Sequence, residues 1–125
     1  MRKRRRVRLL CDVHIEPTVA TFITDGLHWS VEEARLNRRL QRESDDRILL
    51  RHALEKEQLF LTEDQDVPAQ ARRMRAPGII VLPDAAAEVQ LPLMLAMRLV
   101  VEVGLRTGRR TFENIVLCPG LMESG

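Results

Sequence analysis

A three-layer α/β/α sandwich with a central, mainly parallel sheet is the fold class this chain predicts. Two observations carry that expectation. Short apolar runs alternate with amphipathic stretches along the chain, the β-α-β-α rhythm of crossover connections. The runs are close to continuously apolar rather than alternating, as parallel strands covered on both faces are. A third observation bears on function. Acidic residues stand just past these runs, at Asp12, Asp64 and Asp66, and at a helix start, at Asp45. In a parallel sheet, positions just past strand C-termini converge on one crevice.

The elements follow in order. Residues 7–11 read as a buried strand that ends at Asp12. Pro17 suits the first turn of a helix ending near Asp25, with Gly26 as its C-terminal cap. Residues 27–31 fit a short strand. Residues 32–42 are mostly polar and read as an exposed helix or a long loop. Ser44 is a good N-cap for a helix over residues 45–57, with Ile48, Leu49 and Ala53 on its inner face. Residues 59–62 form the next strand. Pro68 opens a short helix that ends before Pro77, and residues 79–82 form a third strand. Pro92 is expected to open a long helix to about Arg106, stopped near Gly108. Residues 115–118 make a last strand, closed by Pro119 and Gly120.

A chain of 125 residues fits one domain with one core, expected over residues 7–125 behind a basic arm at residues 1–6. At 45% hydrophobic and 30% charged it reads as soluble and globular. No stretch nears the roughly 18 apolar residues of a membrane span. The longest candidate, residues 91–103, carries Arg98 and Glu102 and reads as a core helix. The first six residues lack the apolar stretch and cleavage site of a secretory signal. Cys11 and Cys118 sit in apolar runs and read as small core residues rather than disulfide or metal partners. The expectation is a cytoplasmic protein with no membrane partner.

The net charge of +2 hides an asymmetry. Arg2, Lys3, Arg4, Arg5 and Arg6 supply five of the 20 basic groups, leaving 15 against 18 acidic ones in the rest, a balance of −3. A basic arm on a mildly acidic body can neutralise phosphates and guide RNA toward a metal-loaded cleft. A solubilising tail is the plainer reading. Arg35, Arg38, Arg39 and Arg42 recur at roughly helical spacing, as a solvated face or a second RNA or protein contact. One Trp and three Phe are too few for a base-stacking platform. His14, His28 and His52 have no metal-binding spacing, and no Cys–His or Ser–His pattern of nucleophilic catalysis stands out.

Leu9-Leu10-Cys11-Asp12 followed by Ile15-Glu16-Pro17 resembles the opening of small PIN-like nuclease domains, where an apolar strand ends in Asp and runs into a Leu-Pro-Pro-like helix start. Ser44-Asp45-Asp46-Arg47-Ile48-Leu49 is similar to their Ser-Asp-acid-acid-Ile-Leu helix start. Leu61-Thr62-Glu63-Asp64-Gln65-Asp66-Val67 is similar to their Thr-x-Asp-x-Asp-Phe motif, and Gly78-Ile79-Ile80-Val81-Leu82-Pro83 looks like the strand that comes next. The match runs in order over about residues 7–83.

The resemblance implies a PIN-like fold, Mg²⁺ or Mn²⁺, and RNA cleavage as in VapC-type toxins of toxin–antitoxin pairs, with an antitoxin protein as partner. It implies that Asp12, Asp45 and Asp64 are the metal-site acids, that Asp66 is a fourth or supports them from behind, and that Thr62 orients the site through its hydroxyl. His14 stands where these domains often carry Asn, close enough to Asp12 to contact phosphate or a water around the metal. Many PIN nucleases also carry an acid, usually Glu, between the first two motifs; Glu32, Glu33 and Glu43 compete for that place here. Val67 replaces the usual aromatic.

Clustered carboxylates repel one another, so such a group usually holds a hard divalent cation. Each acid also has a plainer use. Asp45 and Asp46 favour a helix N-terminus, and Asp64 and Asp66 suit a turn and a cap. Asp12 is hardest to explain so, because an acid closing an apolar strand is poor strand material. The expected activity is metal-dependent RNA hydrolysis leaving a 5′-phosphate and a 3′-hydroxyl. The alternative is a catalytically weak PIN-like module that binds RNA or a protein. A receiver-like phosphoacceptor domain wants a Lys at the end of the last strand, and the only lysines are Lys3 and Lys56. The apolar helix from Pro92 offers a homodimer face.

Overall fold

The computed structural model describes residues 6–42, 45–106 and 115–119. Five strands form one sheet: β1 (Arg8–Cys11), β2 (Ser30–Glu33), β3 (Leu59–Thr62), β4 (Ile79–Val81) and β5 (Val116–Leu117). Their spatial order is β2-β1-β3-β4-β5, and every neighbouring pair is parallel. In register, Leu10 pairs with Phe60, and Leu61 pairs with Ile80.

Helices cover both faces. On one side α1 (Pro17–Phe22), the π-helical turn that continues it (Ile23–Leu27) and α5 (Ala87–Arg106) pack on Leu9, Cys11, Leu61 and Ile80. On the other, α2 (Arg38–Arg42), α3 (Asp46–Glu55) and α4 (Val67–Ala71) pack on Leu10, Phe60, Ile79 and Val81. Alternate residues of each strand point to opposite faces, so a run such as Leu59–Thr62 must be buried at all four positions, and it is. No helix among the described residues is long and apolar enough to cross a membrane. Cys11 and Cys118 are free thiols. Cys11 lies in the core, where burial and the nearby carboxylates of Glu33 and Asp12 push its pKa up to about 12.

Several boundaries differ from the sequence expectation for local physical reasons. Gly26 does not cap the first helix. The chain passes through it in the π turn, and His28 takes the left-handed cap with φ 61°. A Cβ at Gly26 would sit 3.2 Å from the Phe22 ring, so close packing rather than capping explains the glycine. The second strand begins at Ser30, three residues later than expected, because the π turn absorbs Leu27. Residues 34–42 form a 3-10 turn (Ala34–Leu36) and α2, and they are not wholly exposed: Ala34 and Leu40 are fully buried. Ser44 and Gly108 lie outside the described residues. Asp45 itself caps α3, its side chain accepting from the Arg47 N–H. The long helix starts at Ala87 and carries Pro92 within it. Gln90 N–H bonds back to the Ala86 carbonyl, so an Ala-rich start nucleates the helix before the proline.

The end of α3 stores a small strain. Gln58 N–H reaches the Ala53 carbonyl at 2.8 Å and Glu57 N–H the Leu54 carbonyl at 3.2 Å, the paired bonds of a Schellman ending. That ending forces Glu57 to φ 55°. A side chain there costs about 1–2 kcal/mol, whereas glycine loses about 0.5–1 kcal/mol through the unfolded chain. Glu57→Gly should therefore raise stability by about 0.5 kcal/mol in urea unfolding, with an unchanged m-value. A loss of stability would show that the Glu57 side chain makes an interaction outweighing the strain.

Candidate active site

The order β2-β1-β3 places a topological switch point between β1 and β3: from β1 the chain crosses to β2 on one side, then to β3 on the other. Ligands of parallel sheets bind outside the strand ends at such a point. The two residues flanking this one are Asp12 and Thr62. The Asp12 N–H donates to the Leu61 carbonyl at 2.9 Å, extending the β1–β3 ladder by one residue and fixing where the carboxylate starts.

Thr62 is the centre of the arrangement. Its hydroxyl is fully buried. It donates to Asp12 Oδ2 at 2.8 Å and accepts the Asp64 N–H at 3.0 Å. One side chain thus ties the Asp12 carboxylate to the backbone of Asp64 just past the end of β3. The second Asp12 oxygen, Oδ1, accepts the Val13 N–H at 2.8 Å. Asp12 is 7% exposed, and these donors offset much of the cost of burying its charge. Each oxygen keeps a second lone pair for a cation. Asp64 is exposed, and its Oδ1 accepts the Asp66 N–H at 2.8 Å, which shapes the turn into α4.

The third acid of this group is Asp46. Burial pushes its carboxyl above the ordinary range, and the charges of Asp12 and then Asp64 push it further, against a hydrogen bond from Gln70. The sequence pointed to Asp45 instead. Asp45 occupies the N-cap of α3, its Oδ1 accepting the Arg47 N–H at 2.9 Å and its Oδ2 pairing with the Arg47 guanidinium at 2.9 Å. Those bonds hold its carboxyl below its usual value. An N-cap oxygen must turn to its own helix, so the next acid in a Ser-Asp-Asp start is the freer one. That rule was the signal available in the sequence.

The remaining candidates divide clearly. Asp66 is exposed at the start of α4 and makes no capping hydrogen bond with its side chain. His14 is exposed in the turn after Asp12. Of the three glutamates between the first two motifs, Glu43 lies outside the described residues and the other two are engaged. Glu33 pairs with Arg35 at 2.9 Å. Glu32 accepts from His52 Nε2 at 2.8 Å, Gln58 Nε2 at 2.9 Å and Asn37 Nδ2 at 3.1 Å. Burial pushes the Glu32 carboxyl up, but these bonds together outweigh it and hold it below its usual value. Glu63 is clamped by Gln90 Nε2 at 2.6 Å. Met1–Arg5 of the basic arm lie outside the described residues; Arg6 is exposed. Of the Arg35, Arg38, Arg39 and Arg42 set, Arg35 pairs with Glu33 and Arg39 donates to His52 Nδ1 at 3.1 Å, while Arg38 is exposed.

Carboxylates and a hydroxyl are hard oxygen donors, the set that suits Mg²⁺ or Mn²⁺. Among the described residues, no group of three His, Cys, Asp or Glu side chains is close enough, as placed, to hold one ion together. Mg²⁺ is usually held by one or two carboxylates with waters and phosphate oxygens completing the octahedron, a requirement this donor set meets chemically. Comparison of the chain with family models, curated proteins and solved structures finds no match.

The raised Asp46 carboxyl has a definite pH signature. In the unfolded chain it ionises near the ordinary Asp value, about 3.9. In the folded chain it ionises higher, so the folded state binds the extra proton between the two values. Stability from this group is therefore present at low pH and lost as pH rises through the folded value. Without divalent metal, Asp46→Asn should raise Tm at pH 7, and the gain should shrink toward zero as pH falls below the carboxylate range. An equal gain at both ends of a pH series would assign the effect to packing rather than charge.

Proposed function

We propose that the protein is a metal-dependent ribonuclease of PIN-like type, using Mg²⁺ or Mn²⁺ at the Asp12–Asp46–Asp64 group. The single observation that carries this reading is the Thr62 bridge from the Asp12 carboxylate to the Asp64 backbone at the sheet's switch point, with the Asp46 carboxyl raised by burial and then by the charges of both acids. Repulsion among buried and half-buried acids costs stability, and a site that accepts that cost is a functional candidate. The resemblance of the three acidic segments to PIN-like motifs gives the reaction class, and the toxin of a toxin–antitoxin pair is its finest form. Cytoplasmic location belongs to the same proposal.

A bound divalent ion supplies an activated water and neutralises charge on the phosphate being transferred. The chain's own groups do the rest. Asp12 presents a carboxylate that Thr62 and the Val13 N–H hold in one orientation. Thr62 holds the Asp12 carboxylate and the Asp64 backbone at the ends of β1 and β3, and the Asp64 carboxylate would join Asp12 in binding the ion. Asp46 adds the third negative group from the start of α3. Asp66 and His14, both exposed, would meet RNA or the outer waters. The basic arm raises the local RNA concentration through phosphate contacts.

Purified protein should cleave single-stranded RNA with Mg²⁺ or Mn²⁺ and lose that activity in EDTA. Asp12→Asn, Asp46→Asn and Asp64→Asn should each lower the rate by at least about a hundredfold, since even groups that only support a ligand can cost that much. Asp45→Asn should retain most activity. Equal cleavage in EDTA, or full activity of the three variants, would remove the metal mechanism.

A second reading is a PIN-like module that binds RNA or protein without turnover. It is favoured by the spacing of the acids, which among the described residues form no ready three-ligand set. Metal titration of the wild-type chain against Asp12→Asn separates the two: the nuclease reading requires metal binding that the variant loses, with cleavage alongside it.

The arm has its own test. Deleting residues 2–6 should weaken RNA binding and flatten its salt dependence by about 0.7 unit of log–log slope per lost contact on a single strand. Cleavage at saturating RNA should change little, because the proposed chemistry needs carboxylates and the arm has none. Identical slopes across a salt series would limit these residues to a solubilising role.

A further inference from the structure

Three carboxylates around one divalent ion still leave a negative group, and the turns beside it add to that sign. The turn after β1 carries Glu16, the turn after β3 carries Glu63 and Asp66, and the turn after β4 carries Asp84. A polyanion that crosses this end of the sheet meets like charge on those sides. An RNA strand therefore needs a bordering surface of the opposite sign.

The end of α4 is such a surface. Residues 67–83 hold three arginines and no acid, whereas the rest of the chain beyond the arm holds 12 basic groups against 18 acidic ones. Arg72 and Arg73 are exposed, and among the described residues neither pairs with a carboxylate. Arg47, at the start of α3, is by contrast already paired with Asp45 at 2.9 Å.

Gln70 sets the two arginines beside the acids. Its side chain donates to the Asp46 carboxyl, which ties the last turn of α4 to the acid group. The chain keeps turning past the helix. The Arg72 N–H donates to the Pro68 carbonyl at 3.2 Å and the Arg73 N–H to the Gln70 carbonyl at 3.3 Å. Residues three apart on a helical turn are neighbours, with Cβ atoms about 5–6 Å from each other. Arg73 thus stands next to the side chain that touches Asp46. A guanidinium is a planar fork that matches two phosphate oxygens, and it keeps its charge at every working pH.

We propose that Arg72 and Arg73 form a phosphate-binding border that carries single-stranded RNA across the end of α4 into the Asp12–Asp46–Asp64 group. The inference rests on the ribonuclease reading and adds the path of the substrate to it. The ion neutralises the phosphate at the carboxylates, and the two guanidiniums neutralise those that flank it on the α4 side. Both arginines bind and steer the strand and take no part in breaking it.

The test is binding of a labelled oligouridylate to the full chain across a salt series at fixed Mg²⁺, in an Asp12→Asn background that leaves the strand intact. Arg72→Gln with Arg73→Gln should flatten the log–log slope by about 1.4, at about 0.7 per lost phosphate contact, and weaken binding at least about tenfold at low salt. Both side chains lie in water, so the fold should be kept. Arg72→Lys with Arg73→Lys keeps the charge and should restore most of the slope. Arg98→Gln, on the opposite face of the sheet, should leave it unchanged. With Asp12 restored, the Gln pair should raise KM for RNA and change kcat little. A wild-type slope in the Gln pair, or an equal loss in Arg98→Gln, overturns the border, and cleavage by the wild-type chain then leaves the nuclease reading standing. A flattened slope with no cleavage by the wild-type chain keeps the border and sinks the nuclease.

Discussion

The hydrogen bond from the Thr62 hydroxyl to Asp12 is the constraint on which the strand-end cluster depends. A carboxylate that is 7% exposed at the end of a central strand needs a hydrogen-bond donor for each oxygen. Here one oxygen takes a hydroxyl and the other a backbone N–H, at 2.8 Å each. The same hydroxyl accepts from the Asp64 backbone, so the turn after β3 is placed by the bond that satisfies Asp12. Removing the hydroxyl would leave a buried charge short of a donor and a loop without its anchor. The ladder bond from the Asp12 N–H to the Leu61 carbonyl makes this geometry rigid from the backbone side.

Helix α3 brings the third acid and moderates the repulsion. Asp46 stands at the first helical position, where the N-terminal end of the macrodipole favours negative charge by roughly 0.3–1 kcal/mol. That gain opposes burial and the charges of Asp12 and Asp64 without cancelling them. Asp45, one residue earlier, takes the cap and so leaves Asp46 uncommitted to the backbone. The far end of α3 is held by a separate polar cluster. Arg39 has only donors, so His52 Nδ1 accepts from it and Nε2 carries the proton given to Glu32. That chain of bonds ties β2, α2 and α3 together and keeps Glu32 in a structural role.

The sheet was largely legible in the sequence because its strands are short apolar runs bounded by Asp, Gly or Pro. Residues 59–62 match β3 to the residue, and β1 and β4 fall within one residue of the expected limits. What failed to show were features decided by packing. A π turn in place of an α turn moved β2, and no local propensity encodes it. Ala34 and Leu40 look like isolated apolar residues in a polar stretch, yet tertiary contact buries both. Pro92 was a reasonable helix start from its fixed φ, but the Ala-rich residues before it nucleate earlier. At the site, Asp12, Thr62 and Asp64 stood out because acids after strands are unusual. The choice between Asp45 and Asp46 rested on which one caps the helix, a matter of one residue of register that a run of two acids hides.

The two faces of the sheet account for the different characters of the molecule's surfaces. The α3 side carries the acid beside the strand ends and a buried polar cluster, so its elements are held by directional bonds. The α5 side is held by apolar packing of Met94 and Val101 inward, with polar ties from Trp29 to Glu102 and from Gln90 to Glu63 and the Pro83 carbonyl. A helix fixed to the sheet mainly by its inner stripe is free to use its outer stripe for another contact. The acids sit at the C-terminal strand ends, while the outer stripe runs along the side of the sheet over four turns of α5. Covering the one would leave the other open to solvent, so the carboxylates and the apolar stripe share one fold without opposing each other.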